Sequence, residues 1–133
     1  MKKVLIVLIA IMSVSNVYSQ TAETYNNRGD SKNELQDHRG AIADYSKAIE
    51  LNPNFATAYN NRGISKNKLQ DYRGAIADYS KSIELNPNYA NPYFLRGISK
   101  CYLEMKDSGC LDLSKAGELG HESAYEKIRK LCN

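Results

Sequence analysis

The stretch ATAYNNRGISKNKLQDYRGAIADYSKSIELNPNY, Ala56 to Tyr89, is nearly a copy of the stretch before it, Ala22 to Phe55. The two agree at 27 of 34 positions, so the chain is built from repeats. A unit of this length cannot bury its own apolar face and must stack on a neighbour to do so. We therefore expect function to lie on a stacked surface rather than in a single pocket.

The apolar positions of the repeat fit two amphipathic helices of about three or four turns each. Gln70 and Asp71 leave room only for a tight turn between them, so the two helices are predicted to run antiparallel. Asn86-Pro87 ends the second helix, as Asn52-Pro53 does one unit earlier, because proline cannot continue a helix.

Glycine recurs inside the first helix of each unit, at Gly29, Gly63 and Gly97. Glycine costs roughly 1 kcal/mol there relative to alanine, so its recurrence indicates the close approach of another backbone. We expect small residues of the second helix to face these glycines, namely Ala41, Ala75 and Gly109.

The spacing of Tyr59, Gly63, Ala75, Tyr79 and Pro87 resembles that of the tetratricopeptide repeat. The first unit carries the same pattern at Tyr25, Gly29, Ala41, Tyr45, Ala48 and Pro53. The resemblance covers about 22–121 and implies an all-α fold, a right-handed superhelical stack of three antiparallel helix-turn-helix repeats. We place these repeats at about 22–55, 56–89 and 90–121.

The third unit keeps Tyr93 and Gly97 but departs from the pattern at Gly109, Leu113 and the missing proline. Its second helix is the weakest of the six in sequence terms. Residues 122–132 are amphipathic and predict a C-terminal capping helix over the open end of the stack. No cap is visible at the amino end, so the first helix is expected to be partly exposed.

The first nineteen residues have the pattern of a secretory signal peptide. Lys2 and Lys3 precede an apolar run that ends at Met12, and the predicted cleavage lies between Ser19 and Gln20. A membrane helix is the alternative, but spanning a bilayer takes about 20 apolar residues. No cysteine follows the run for lipid attachment. We expect a mature domain of residues 20–133, exported to the periplasm or secreted, without membrane insertion.

Charge and motif content exclude several classes of function. The formal net charge is +3, and loss of two lysines with the signal leaves no basic stripe for nucleic acid. His38 and His121 are far apart and no C-x-x-C occurs, which argues against a metal site. Neither histidine has a catalytic partner that the sequence pattern would place beside it, and there is no phosphate-loop motif. We therefore expect no catalysis and no cofactor.

Arginine and aspartate recur sixteen residues apart in every unit, as Arg28 and Asp44, Arg62 and Asp78, and Arg96 and Asp112. In an antiparallel hairpin these positions face each other. We predict an arginine–aspartate pair within each unit or between adjacent units, with a structural role.

Three cysteines allow at most one intramolecular bridge. Cys110 replaces Ile76 of the second unit, a position expected to pack against the following helix, and that helix here is the cap bearing Cys132. We predict a Cys110–Cys132 disulfide, with two buried reduced cysteines as the alternative. Cys101 then stays free, in register with Asn67, on a face expected to be exposed.

In tetratricopeptide stacks the first helix of each unit lines a concave groove that holds a peptide or a partner helix, and the resemblance implies the same here. The predicted groove residues are Asn26, Asp30, Asn33, Asn60, Asn61, Ile64, Asn67, Asn91, Phe94 and Ile98. Asparagine both donates and accepts, which suits an extended backbone, and an apolar end suits an anchoring side chain. The alternatives are solvation of the asparagines without any ligand, and packing of Phe94, Leu95 and Tyr102 against the cap or the neighbouring unit.

A familiar version of this groove grips a terminal carboxylate with lysines, an arginine and asparagines. Asn26, Asp30, Asn91 and Leu95 stand where that version needs lysine, asparagine, lysine and arginine, and only Asn61 fits. An acidic chaperone tail is therefore not the expected ligand.

The sequence thus predicts a non-enzymatic adaptor or scaffold that binds a protein or peptide. The alternative is a structural protomer that self-associates through its uncapped N-terminal end or through Cys101. A third class, an enzyme, would need a polar cluster with coupled pKa values, and none is visible.

Overall fold

The computed structural model describes residues 21–133, which form helices joined by short turns and contain no strand. Helix α1 covers residues 21–34. It is followed by α2 (His38–Leu51), α3 (Ala56–Lys68), α4 (Tyr72–Leu85), α5 (Ala90–Tyr102), α6 (Lys106–Glu118) and α7 (Ala124–Leu131). The predicted all-α stack is confirmed. The predicted signal peptide, 1–19, lies outside the described residues.

Each helix packs mainly on its neighbours in sequence, which gives a stack of helical hairpins. Unit 1 is α1 with α2, unit 2 is α3 with α4, and unit 3 is α5 with α6. The second helix of each unit also packs on the next first helix, and the cap helix α7 packs on α6. None of the helices in the described part of the chain has the length and apolar character needed to cross a bilayer.

The hairpin turns are built alike in the three units. One residue in each turn has a left-handed backbone with φ of 62°: Gln36, Gln70 and Glu104. In the first two units the next residue, Asp37 or Asp71, caps the second helix by accepting a hydrogen bond from a backbone N–H. Helix α6 has no such side-chain cap, in agreement with its weak repeat pattern.

In unit 2 an aromatic ring lies against the recurring glycine. A Cβ atom on Gly63 would come within 2.6 Å of Tyr79 Cε1, so glycine is required for the ring to fit. The nearest neighbour of Gly63 is thus the ring of Tyr79 rather than the expected Ala75, which is also fully buried. Unit 1 is built in the same way, with Tyr45 rather than Ala41 against Gly29.

In unit 3 the backbones of the two helices contact each other directly at the recurring glycine. A Cβ on Gly97 would lie 2.8 Å from the carbonyl oxygen of Gly109, as expected from the sequence. Leu113 stands where units 1 and 2 have the tyrosine. Because leucine is shorter, the third pair of helices approaches through glycine on both sides.

A bidentate arginine–aspartate pair joins the two helices of every unit. The bonds from Nη2 to Oδ1 measure 2.6 Å for Arg28–Asp44, 2.7 Å for Arg62–Asp78 and 2.8 Å for Arg96–Asp112. A lysine one turn further along the first helix also contacts each carboxylate: Lys32, Lys66 and Lys100. The predicted pairing is confirmed within each unit, and all three carboxylates are buried.

The arginines also connect adjacent units. Arg62 Nη1 donates to Ser46 Oγ of unit 1 at 3.1 Å, and Arg96 Nη1 donates to Ser80 Oγ of unit 2 at 3.0 Å. The side chain of Arg28, at the open end, is 56% exposed, whereas that of Arg62 is 19% exposed. The hydrogen bond from Arg28 holds the pKa of Asp44 below its ordinary value.

A disulfide fastens the cap helix. Cys110 on α6 is joined to Cys132, which follows α7, with a Cα–Cα distance of 5.9 Å and a sequence separation of 22. This is the pairing predicted from the sequence. By constraining the unfolded chain, a disulfide that closes a loop of this length raises the free energy of unfolding by roughly 3 kcal/mol.

We predict that Asp78→Ala lowers the free energy of unfolding by about 2 kcal/mol, because it leaves the partly buried Arg62 and Lys66 without their carboxylate. Asp44→Ala is the matched control, since Arg28 is far more exposed and solvated. Urea denaturation of the two variants should show the larger loss for Asp78→Ala. Equal losses would contradict a role for burial in the strength of the pair.

Candidate functional site

The predicted binding residues lie on the first helices of the three units, α1, α3 and α5. We call the surface formed by these residues the groove. It has two junctions, one between α1 and α3 and one between α3 and α5. The two junctions differ in chemistry although they are built from near-copies.

At the first junction four polar side chains satisfy one another. Asn61 Nδ2 donates to Asp30 Oδ1 at 3.1 Å and to Asn26 Oδ1 at 3.4 Å. The Tyr45 hydroxyl donates to the same Asp30 oxygen at 2.6 Å. We call these four residues the first-junction network. Because its members are bonded to one another, they hold units 1 and 2 together and offer little to a ligand.

Two other predicted groove residues also act between units. Ser65 Oγ donates to Asn33 Oδ1 at 3.0 Å, and Ser99 Oγ donates to Asn67 Oδ1 at 3.3 Å. His38 Nδ1 lies 2.7 Å from the same Asn33 oxygen. Both serines are buried. These asparagines therefore link successive units through neighbouring hydroxyls.

At the second junction the corresponding network is broken. One repeat after Asp30 the chain has Ile64, and one repeat after Asn61 it has Leu95. Among the described residues, the buried Asn60 Oδ1 and the buried Tyr79 hydroxyl have no hydrogen-bond partner. We call these two atoms the orphan pair. They stand in register with Asn26 Oδ1 and the Tyr45 hydroxyl of the first junction.

The two tyrosines are donors at any physiological pH. Burial, together with the neighbouring Asp30, raises the pKa of the Tyr45 hydroxyl. Burial also raises the pKa of the Tyr79 hydroxyl, with a smaller effect from Asp78. The Tyr79 proton is therefore retained but has no acceptor among the described residues.

The end of the groove near the cap is apolar and half-exposed. Ile64, Leu95 and Ile98 are all intermediate in exposure, whereas Asn60 is only 1% exposed and its side chain is withdrawn from the surface. The ring of Phe94 stacks on His121, with centroids 3.9 Å apart. For Phe94, packing against the turn before the cap is thus part of its role.

Two further residues near this end contact other side chains, and for Tyr102 the partner lies in the neighbouring unit, one of the two packing alternatives given from the sequence. The Tyr102 ring stacks on Tyr72 of unit 2, with centroids 5.0 Å apart, and not on the cap. Asn91, at the start of α5, interacts with the Tyr89 hydroxyl.

A pocket of about 110 Å³ lies between α5 and the cap helix, lined by Ile98, Cys101, Tyr102, Lys127 and Leu131. Cys101 is half-buried there, so the expectation of an exposed thiol was wrong. Its Sγ lies against Gly109, and burial raises the pKa of the thiol. The residues from the cap were missed as site residues because the cap was expected only to close the stack.

The described residues contain no group of three or more histidine, cysteine, aspartate or glutamate side chains arranged to hold a metal ion. The described surface is built from apolar side chains together with three buried polar atoms that lack a hydrogen-bond partner, namely Asn60 Oδ1, the Tyr79 hydroxyl and His121 Nδ1.

Family models match the repeated part of the chain. The "TPR repeat" model matches residues 29–69, and the "Tetratricopeptide repeat" model matches residues 56–89. Together the two matches span residues 29–89, and both models describe this repeat. No curated protein gives a significant match to the sequence.

Solved tetratricopeptide structures have the same fold. The first TPR domain of Spaghetti (RPAP3), bound to the HSP90 peptide SRMEEVD, is 23% identical with a TM-score of 0.83, covering 86% of this chain and 92% of that one. The TPR2B domain of yeast Sti1, in a pHsp70 complex, is 27% identical with a TM-score of 0.77, covering 84% and 93%. The Arabidopsis OM64 TPR domain is 23% identical with a TM-score of 0.80, covering 85% and 98%.

Comparison of the repeat units within this chain could have found the orphan pair. The change from Asp30 to Ile64 removes the acceptor that Tyr45 uses, while Tyr79 is retained. The helical pattern predicts only a packing role for Tyr79, so the loss of an acceptor for its hydroxyl was missed from the sequence.

We predict opposite outcomes for the same substitution at the two tyrosines. Tyr45→Phe removes a donor from Asp30 and should lower the free energy of unfolding by about 1 kcal/mol. Tyr79→Phe removes an unpartnered buried hydroxyl and should leave stability unchanged or higher. Urea denaturation measures both, and a larger loss for Tyr79→Phe would show that its hydroxyl has a partner.

Proposed function

We propose that this chain is a non-enzymatic adaptor or scaffold that binds a protein or peptide in the groove. The observation that carries the proposal is the half-exposed apolar surface of Ile64, Leu95 and Ile98 at the second junction. The first junction is filled by its own network, so the two junctions are unequal. A binding role for the second junction accounts for the replacement of asparagines by apolar side chains in unit 3.

The fold relatives support binding as a class, but not the same ligand. The RPAP3 domain was solved with the HSP90 peptide SRMEEVD, and the yeast Sti1 domain in a pHsp70 complex. In this chain Asp30 would repel a terminal carboxylate, and the amide of Asn26 is buried in the first-junction network. Leu95 supplies no cation. The partner we propose presents apolar side chains rather than an acidic tail.

We also propose that the chain works outside the cytoplasm, in the periplasm or after secretion. The basic start and short apolar run of residues 1–12 support export. The Cys110–Cys132 disulfide is in keeping with an oxidising compartment, where such bonds persist.

We predict that residues 20–133 select heptapeptides with apolar central residues from a random display library. Fluorescence anisotropy of a selected peptide should show binding that Ile98→Glu weakens at least tenfold, because a charge is introduced into an apolar site. The peptide SRMEEVD should not bind.

Ala77→Glu is the matched control, since it adds the same charge at an exposed position of α4. It should bind the selected peptide as the wild type does. Equal weakening by both variants, or a selection that yields no peptide, would contradict the groove as the binding site.

We predict that the intact mass of the exported chain corresponds to residues 20–133 with one disulfide. Proteolytic digestion without reductant should yield a fragment linking Cys110 to Cys132, with Cys101 alone open to alkylation after unfolding. Retention of residues 1–19 in the exported chain would contradict removal of a signal peptide.

A further inference from the structure

The orphan pair marks a place where the protein itself does not complete a hydrogen-bond pattern. Asn60 is 1% exposed and Tyr79 is fully buried, and neither orphan atom has a partner among the described residues. A buried polar atom without a partner destabilises the folded chain. The pair therefore favours any ligand that supplies one donor and one acceptor at this point.

The first-junction network gives the arrangement of the missing atoms. There, a nitrogen of Asn61 reaches the Asn26 oxygen, an oxygen of Asp30 receives the tyrosine hydroxyl, and these two bridging atoms are 3.1 Å apart. The first helix and the tyrosine of unit 1 recur in unit 2, with 27 of 34 positions identical between the two units, and at the second junction α5 takes the place of α3. The missing partners are thus an N–H donor and an oxygen acceptor, side by side.

We propose that the second junction is a subsite for the backbone of one extended peptide residue. Its N–H donates to Asn60 Oδ1, and its C=O accepts from the Tyr79 hydroxyl. This inference rests on the proposed function, because it names the part of the peptide that the groove recognises there.

An extended residue has the geometry that the subsite requires. In a β-strand the N–H and the C=O of one residue point to the same side, which is how a residue pairs twice with a single partner residue. A helical ligand would have both groups engaged in its own hydrogen bonds. The orphan pair therefore selects for an extended peptide over a helix.

The surroundings decide which side chains the peptide carries. Ile64 and Leu95 occupy the positions of Asp30 and Asn61, and both are half-exposed, so they form the apolar walls over the orphan pair. The peptide enters by parting these two rotatable side chains. Its neighbouring residues then pack against Leu95 and Ile98, so apolar side chains flank the recognised backbone.

The experiment uses the fluorescein-labelled heptapeptide from the display selection, with binding measured by anisotropy. Tyr79→Phe should weaken binding about tenfold while leaving stability intact, because the walls are unchanged and only the donor is lost. Tyr45→Phe is the matched control and should bind normally. N-methylation along the peptide should weaken binding about tenfold at one residue, and that penalty should disappear in Asn60→Leu.

The outcomes separate the subsite from the proposed function. If Ile98→Glu abolishes binding while Tyr79→Phe and every N-methylated peptide bind normally, the groove binds peptides and the backbone subsite is wrong. A crystal structure of the complex in which a water still bridges Asn60 and Tyr79 would also overturn it. If no peptide is selected, the proposed function fails and the subsite fails with it.

The subsite can also be tested by substitutions that supply the missing hydrogen-bond partners from the protein itself. Ile64→Asp with Leu95→Asn should rebuild the first-junction pattern at the second junction, raising the melting temperature and removing peptide binding. If the melting temperature falls in a variant that stays folded, the two junctions are not equivalent. The first-junction network would then not describe the atoms missing at the second junction, and the proposed subsite would be wrong.

Discussion

Polar side chains join each two-helix unit of this chain to the unit before it, and the rest of the structure depends on these contacts. The arginine that binds aspartate within its own unit also reaches a serine of the preceding unit, as Arg62 does with Ser46. Ser65 connects unit 2 to Asn33 of unit 1 in the same way. Where no preceding unit is described, the corresponding Arg28 is largely exposed. Stacking is thus enforced by polar contacts as well as by apolar burial.

Near-identity of the repeats makes their few differences informative. The tyrosine against glycine, the bidentate ion pair and the left-handed turn residue are common to units 1 and 2. The change from Asp30 to Ile64 alters none of these, but together with Leu95 it converts a closed polar junction into an apolar one. The groove is therefore divided into a polar half that is bonded within the stack and an apolar half that is partly exposed.

The cap helix has two roles in this division. Its disulfide to α6 fastens the end of the stack at the unit whose second helix lacks a side-chain cap. Leu131 and Lys127 also extend the apolar end of the groove next to Ile98. Closing the stack and shaping the site are thus performed by the same short helix.

The fold was predictable because the 34-residue period, the turns and the Asn-Pro stops all specify the same helices. The arginine–aspartate pairs and the Cys110–Cys132 pairing also followed, since register alone sets which positions face each other. How deeply each side chain is buried was not predictable in this way. Periodicity places Asn60 on the groove face but does not say that it is buried, nor that Cys101 lies half-buried against Gly109. Those features depend on side-chain lengths across a junction, which only the packed structure reveals.

The central claim is that ligand contact is confined to the second junction. Backbone amide chemical shifts of the isotopically labelled chain, followed during titration with a selected peptide, test it most directly. The account predicts that the largest changes fall in residues 60–67 and 91–98. Largest changes in residues 22–33, or on α2 and α4, would contradict it.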